Sequence, residues 1–386
     1  MSGSYLTKEQ RDGFQKYKYA SRDTSPLAVY LMHPFWNRAV KVFPMWLAPN
    51  VMTFVGWVLT VAIFLVLTFY DPFLVAAGSD DKSHEKYNIP QWIWIFIAIA
   101  HFVAHTLDGC DGKQARRTNS SSPLGELFDH GIDSMAIWLI TVCAYSLFGQ
   151  GPMSLTVWDY HWIMIVVLLG FYMAHWEKYI TGVLFLPWAY DFSQLILLGI
   201  YLFVYIFGLE FLKFPLYKDI RLTHFFKWTT HLCFFCIFFP LSLRNIYKSK
   251  VEKTDRGLSL VEALKPGVPL FSCFALFTIW AYYSSSNILQ INPRLFFTSF
   301  GIVFSNITCS LIVNTMSHQK CKVFNKMFIP LIIIDVALLV FRFNEVYVLA
   351  VYTFVIGCIH VDYGIGVVNE MCDMLKIRCF SLAPLN

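Results

Sequence analysis

From residue 51 onward the chain alternates long apolar runs with short polar stretches. A bilayer core asks for about 20 apolar residues per helix. Runs approaching that length fall at 51–70, 91–107, 131–149, 161–176, 192–209, 229–243, 267–283, 295–314, 328–342 and 345–361. The pattern predicts an all-α polytopic membrane protein with about ten transmembrane helices. The fourth run is expected to continue through HWEKYITGVLF, and the ninth and tenth are barely separated, so their division is open.

Ahead of the first span, SPLAVYLMHPFWNRAVKVFPMWLAPN mixes aromatic side chains with isolated basic ones. It predicts an amphipathic helix lying in the membrane interface, an irregular polar arm being the other reading. The opening MSGSYLTKEQRDGFQKYKYASRD has no apolar stretch followed by a small-residue cleavage site, so the first span is expected to direct insertion itself. No lipid anchor is indicated. The expected organisation is a cytosolic arm and interfacial helix over 1–50, one membrane domain over 51–361 with a 91–149 hairpin, and a cytosolic tail over 362–386.

An even number of spans puts both termini on one side. With that side cytosolic, its loops and arms hold 22 of the 30 lysines and arginines, as the positive-inside rule requires. Lys213, Lys218, Arg221 and Lys227 run against it. Hydrophobic residues make up 57% of the chain and charged ones 14%, against about 25% charged in a soluble domain. An ordinary soluble protein is excluded, and no nucleic-acid partner is expected. Most of the ten cysteines lie in apolar runs, and the Cys233–Cys236 pair has no second pair to complete a zinc site. They are predicted to be small core residues.

The chemistry concentrates in LDGCDGKQARRTNSSSPLGELFDHGIDS, residues 107–134. Asp108 and Asp111 are three apart, and Asp129 and Asp133 are four apart, so each pair shares a helix face. The turn-forming TNSSSP between them predicts a hairpin that brings the pairs together at the cytosolic end. Four carboxylates in one pocket raise each other's pKa unless a positive charge sits among them. Oxygen ligands without His or Cys favour hard cations, Mg²⁺ or Mn²⁺, and two such ions can clamp an in-line displacement at phosphorus. Gly109, Gly112, Ala115 and Gly125 clear space beside the aspartates, and Arg116 can pair with phosphate oxygens. The competing reading is a solvated loop whose aspartates pair with Lys113, Arg116 and Arg117. It does not account for small residues and carboxylates recurring on helical spacing in both arms, near a membrane where acids are costly.

The run Asp111-Gly112-x-x-Ala115-Arg116, then Gly125, Asp129 and Asp133 at fixed spacing, resembles the signature of the CDP-alcohol phosphotransferase family, with Asp108 as its upstream aspartate. DHGIDS, HWEKYITG (His175 to Gly182) and APNVMT resemble the choline and ethanolamine branch, and the ethanolamine enzymes above all. The resemblance implies transfer of phosphoethanolamine from CDP-ethanolamine to diacylglycerol, releasing CMP. It also implies two divalent cations held by Asp108, Asp111, Asp129 and Asp133, and a nucleotide pocket lined by Gly109, Gly112, Ala115 and Arg116, with Asn50 approaching. A homodimer in the endoplasmic reticulum or Golgi is likewise implied, with the site facing the cytosol.

The attacking hydroxyl needs a base. His130 is favoured, its ordinary pKa lying near 6.5, with Asp133 as a ligand; the alternatives are Asp133 as base and His130 as a group orienting Asp129. Glu177 is a candidate partner for the ethanolamine ammonium, or else pairs with Lys178 or a neighbouring helix. Asp335, Asn306 and His360 are expected to hydrogen-bond between helices, Asp335 being the one to watch as an intramembrane carboxylate. Choline remains the rival head group. A secondary transporter would place its acids at mid-membrane in both halves, and an inactive scaffold would have lost motif aspartates.

Overall fold

The computed structural model describes residues 4–77, 88–151, 154–186, 188–217 and 220–383. The chain is almost entirely helical. Two short helices come first, α1 (Lys8–Lys16) and α2 (His33–Ala39), followed by α3 (Pro49–Tyr70), α4 (Gln91–Arg117), α5 (Pro123–Phe148), α6 (Val157–Thr181) and α7 (Ala189–Phe207). The second half holds α8 (Leu222–Leu232), α9 (Phe239–Val251), α10 (Leu260–Leu264), α11 (Gly267–Tyr283), α12 (Ile288–Ile291), α13 (Pro293–Met316), α14 (Phe328–Val340) and α15 (Glu345–Leu375). A π-helical turn, Cys233–Phe238, joins α8 to α9 into one continuous rod.

Among the described residues nine helical stretches are long and apolar enough to cross a membrane, and α14, at 13 residues, is a tenth, shorter apolar helix. The chain is an integral membrane protein. The fourth span runs on to Thr181 but not through the whole of HWEKYITGVLF: it ends at Gly182 with φ +80°, and Leu184 and Phe185 leave the helix to pair with Ser21 and Arg22. The last span runs on to Leu375, well past the expected 361. Shortness of α14 has a local cause: the segment before it dips into the bundle, where Asn325 donates to Asn306 Oδ1 on α13 at 2.7 Å and Tyr352 of α15 donates to the Met327 carbonyl at 3.3 Å. Asn306 also faces His360 at 3.5 Å, so these two polar residues bridge helices, whereas both carboxyl oxygens of Asp335 on α14 are buried without a hydrogen-bond partner among the described residues.

Local signals build the hairpin that carries the aspartates. Helix α4 ends where Asn119 adopts φ +53° and the Ser120 amide donates to the Ala115 carbonyl. Helix α5 starts at once, with Pro123 in its first turn and Ser122 Oγ accepting from the Gly125 amide at 3.1 Å. Behind it α13 is packed closely: a Cβ at Gly301 would lie 2.2 Å from the Trp138 ring, and Ser305 Oγ accepts from Trp138 Nε1 while donating to the Ser134 carbonyl. At the far end Arg294 donates to the Asp71 carbonyl and to Ser146 Oγ. Burial raises the Asp71 carboxyl above its ordinary range, and Arg294 opposes the shift.

Three of the basic residues that run against the charge rule are engaged. Lys227 pairs with Asp159, Lys213 with Glu210 at 2.9 Å, and Arg221 donates to the Lys213 carbonyl at 2.7 Å; Lys218 lies outside the described residues. The N-terminal arm is not loose. Thr7 and Gln10 cap α1 reciprocally, Gln10 donates to Asn314 at 3.0 Å, and Arg11 pairs with Glu370 at 3.0 Å. Strand β1 (Ser21–Arg22) then pairs with β2 (Leu184–Phe185) beyond α6. Both ends of the described chain therefore lie at the aspartate end of the bundle, with Asn50 donating to the Cys379 carbonyl at 3.0 Å.

The expected interfacial segment is a helix through residues 28–42. Its buried face, Met32, Trp36 and Val40, packs on Met52, Leu107 and Cys110, while Tyr30, Leu31, Val42 and Trp46 are exposed. Arg117 donates to the Val40 and Phe43 carbonyls, and Gln114 to those of Pro44 and Leu47. Trp36 sits directly on Gly109, where a Cβ would lie 2.1 Å from the indole. Gly109→Ala is therefore expected to destabilise the chain by about 1–3 kcal/mol, the usual cost of overpacking. A lower melting temperature in detergent, largely restored by adding Trp36→Leu, checks it.

Candidate active site

Helical spacing places Asp108 and Asp111 one turn apart at the end of α4, and Asp129 and Asp133 one turn apart at the start of α5. One oxygen from each of Asp108, Asp111 and Asp129 lies within 4.8 Å of the other two. Asp133 is within hydrogen-bonding reach of Asp108, and Asp129 of Asp111. Thr53 Oγ1 donates to Asp111 Oδ2 at 2.5 Å, the Gly112 amide donates to Asp111 Oδ1, and the Tyr190 hydroxyl donates to Asp108 at 3.0 Å. The ion pairs found among the described residues bring no lysine or arginine to these four carboxyls.

Such a cluster fits a divalent cation. Its donors are all oxygen, three of them converge, and Asp129 Oδ1 is buried without a hydrogen-bond partner. The nearest buried lysine is committed elsewhere. Lys178 of α6 pairs with Glu126, the two side chains being 3% and 7% exposed, and Tyr17 donates to the same carboxylate at 2.8 Å. Burial next to Glu126 holds the Tyr17 hydroxyl well above its ordinary pKa, so it stays a donor.

His130 points between these groups. Its Nε2 lies 3.8 Å from Asp129, its Nδ1 lies 3.9 Å from Glu126 and has no hydrogen-bond partner, and its ring meets His175 edge-on at 5.2 Å. Gly112 and Gly125 are not crowded: a Cβ would make only ordinary contacts, with Arg116 Nη1 at 3.7 Å at the first, and with Asn50 Oδ1 and Ser122 Oγ at 3.7 Å at the second. Ala115 is half-buried, and Arg116 is exposed at the end of α4. Gly109 differs from these, because the room it leaves is filled by Trp36. Glu177 is buried and accepts from Asn245 of α9 at 2.8 Å, so its carboxylate is engaged by a neighbouring helix.

Thr53 and Tyr190 were not anticipated. Thr53 lies one helical turn beyond Asn50 in APNVMT, a signal that could have been used; Tyr190 sits in an ordinary aromatic run and is brought to Asp108 only by the packing of α7 on α4. Below the aspartates is a space of about 40 Å³ lined by Thr53, His105, Asp108, Asp133 and Tyr190. Beside it opens an apolar cavity of about 270 Å³ among α5, α6, α7 and α8. Ile137, Thr141 and Ala144 line it from α5, continuing the face that bears Asp129 and Asp133. Phe171 lines it from α6 and packs on His175, the neighbour of His130, at 5.0 Å.

Comparison with known proteins agrees with this geometry. The family model described as CDP-alcohol phosphatidyltransferase matches residues 46–243, which include all four aspartates. Ethanolaminephosphotransferase 1 of Mus musculus is 44% identical over 393 residues, and that of Homo sapiens 43% identical over 392; each alignment covers 99% of this chain and 96% of the relative. Choline/ethanolaminephosphotransferase 1 of Arabidopsis thaliana is 30% identical over 391 residues, covering 95% of both chains. With the motif intact on facing helices and the match running through the whole membrane domain, the chain belongs to the CDP-alcohol phosphatidyltransferase family and is a membrane-embedded transferase.

Proposed function

We propose that the chain transfers phosphoethanolamine from CDP-ethanolamine to the free hydroxyl of diacylglycerol or an alkyl-acylglycerol, giving phosphatidylethanolamine and CMP. The observation that carries this reading is the continuous face of α5, on which Asp129 and Asp133 lead directly into the apolar cavity at Ile137 and Thr141. A charged nucleotide can occupy one end and a lipid the other. The full-length similarity to ethanolaminephosphotransferases supports the head group. The Arabidopsis relative, named for both choline and ethanolamine, supports dual use as the second reading.

In this reading Asp108, Asp111, Asp129 and Asp133 would hold two divalent cations, Mg²⁺ or Mn²⁺, whose charge would neutralise the pyrophosphate and polarise the phosphorus. Gly112, Gly125 and Ala115 leave room for the nucleotide, Arg116 pairs with phosphate oxygens, and Asn50 borders the same space beside Gly125. Gly109 serves by admitting Trp36. The lipid oxygen bonds to the phosphorus carrying ethanolamine as the bond to the CMP oxygen breaks, the electron pair leaving with CMP. His130 accepts the hydroxyl proton at Nε2, the nitrogen on the Asp129 side, while Asp133 stays a ligand; Glu126, beside Nδ1, and the His175 ring orient the imidazole. Glu177 acts at a distance, by fixing α6 to α9. The site faces the cytosol of the endoplasmic reticulum or Golgi, where CDP-alcohols are soluble and the basic loops favour that orientation.

Purified protein in liposomes, supplied with diacylglycerol and CDP-ethanolamine or CDP-choline, should release CMP faster with CDP-ethanolamine. Chelation should abolish release, and Mg²⁺ or Mn²⁺ should restore it. Asp129→Asn should lower kcat by at least about 100-fold and weaken metal activation. No CMP from either CDP-alcohol with well-folded protein would reject the proposal.

The base has its own test. His130→Ala is expected to cost about 10²–10⁴ in kcat and to remove the acid limb of the kcat–pH profile. A loss under about tenfold with the limb retained would reassign the role to Asp133.

A further inference from the structure

Tyr190 stands where the apolar cavity meets the acid cluster. Its ring borders both the 270 Å³ cavity and the 40 Å³ space beneath the aspartates, and its hydroxyl donates to Asp108 Oδ2 at 3.0 Å. Several other hydroxyls around the large cavity are committed to backbone carbonyls: Thr141 and Thr230 donate within their own helices, Ser193 donates to the Tyr190 carbonyl and Tyr160 to that of Thr141, while Gln194 borders both spaces as Tyr190 does. The phenol is also held in place. Its ring packs on His105 at 5.8 Å, and His105 Nε2 faces the Asp191 carboxylate at 3.4 Å. His101, His105 and Asp108 recur at helical spacing on α4, so a single face of that helix fixes the first turn of α7 and meets the phenol.

A phenol whose proton is committed to a carboxylate still has oxygen lone pairs that can accept. A lipid hydroxyl entering an apolar cavity loses its water and needs a partner there, because an unpaired hydroxyl in such surroundings is costly. We infer that Tyr190 receives the hydroxyl of the lipid acceptor and holds it at the edge of the aspartate cluster, making Tyr190 a specificity-determining residue for a lone alcohol on an apolar, two-chain lipid. The inference rests on the transfer reaction proposed above. Tyr190 keeps its own proton throughout. For the transfer the acceptor hydroxyl turns its one proton from Tyr190 to His130, which takes it as the lipid oxygen bonds to phosphorus, and CMP departs with the electron pair of the broken bond between that phosphorus and the CMP oxygen.

Tyr190→Phe removes one oxygen and keeps the ring. Wild type, Tyr190→Phe and His105→Ala are compared in detergent with Mn²⁺, CDP-ethanolamine and dioctanoylglycerol, and CMP affinity is measured separately by equilibrium dialysis. The expected result for Tyr190→Phe is an acceptor KM raised about fivefold or more, with the KM for CDP-ethanolamine and the CMP affinity within about twofold of wild type. His105→Ala, which frees the ring, should shift the acceptor KM the same way by less. An unchanged acceptor KM would overturn the inference. So would a loss of CMP affinity as large as the acceptor effect, since Tyr190 would then serve Asp108 alone. Should active wild type use CDP-ethanolamine and Tyr190→Phe leave the acceptor KM in place, only the role of Tyr190 fails. Wild type that releases no CMP from this substrate pair defeats the transfer reading, and the inference with it.

Discussion

Carboxyl groups crowded at the end of an apolar bundle repel one another, and the architecture of this end answers that repulsion. Two unit charges 4.8 Å apart oppose each other by about 3 kcal/mol at an effective dielectric of ~20, and four such groups multiply the strain. The hairpin cannot relieve it by splaying. Trp138 and Ser305 clamp α5 to α13, and the close approach of Gly56 to the Ala104 carbonyl, with 3.2 Å left for a Cβ, locks α3 to α4. Thr53 and Tyr190 supply hydrogen bonds but no charge. A bound divalent cation would supply the charge compensation they lack, and an oxygen-lined cluster in rigid walls suits one.

The placement of Lys178 follows the same logic. A buried lysine close to the aspartates would itself neutralise them and compete with a metal. Here its ammonium is spent on Glu126, one turn before His130, under the rings of Tyr17 and Tyr19 at 5.4 and 5.6 Å. Pairing within the membrane leaves that lysine neither free nor uncompensated. The N-terminal arm thereby becomes part of the site's wall, because Tyr17 belongs to the same network.

Much of this was legible in the residues. Apolar runs gave the spans, and helical spacing of acids and small residues placed the cluster at the mouth of a hairpin, because both are local, periodic signals. What escaped was tertiary. Gly109 looked like room for a nucleotide, but its missing Cβ admits Trp36, a residue far away in sequence. Glu177 could be placed near the right helix end, not on the side facing Asn245. Tyr190 carried no pattern at all, and the docking of the N-terminal arm was not legible because the acceptors for Gln10 and Arg11 lie on α13 and α15, more than 300 residues later. The dip before α14 was hidden for the same reason, since it depends on Asn325 reaching Asn306.

That short helix has a bearing on the surrounding lipid. Thirteen residues rise only about 20 Å, whereas a typical hydrocarbon layer is about 30 Å thick. The outer face of α14, with Ile329, Ile332, Ile333, Val336, Leu339 and Val340 exposed, meets the acyl chains directly. Lipids along this flank must thin or tilt to cover it, at a cost that grows with each ångström of mismatch. A thick, sterol-stiffened membrane resists such a dimple more than a thin, compliant one, so this one short helix couples the protein to the thickness and stiffness of the bilayer around it.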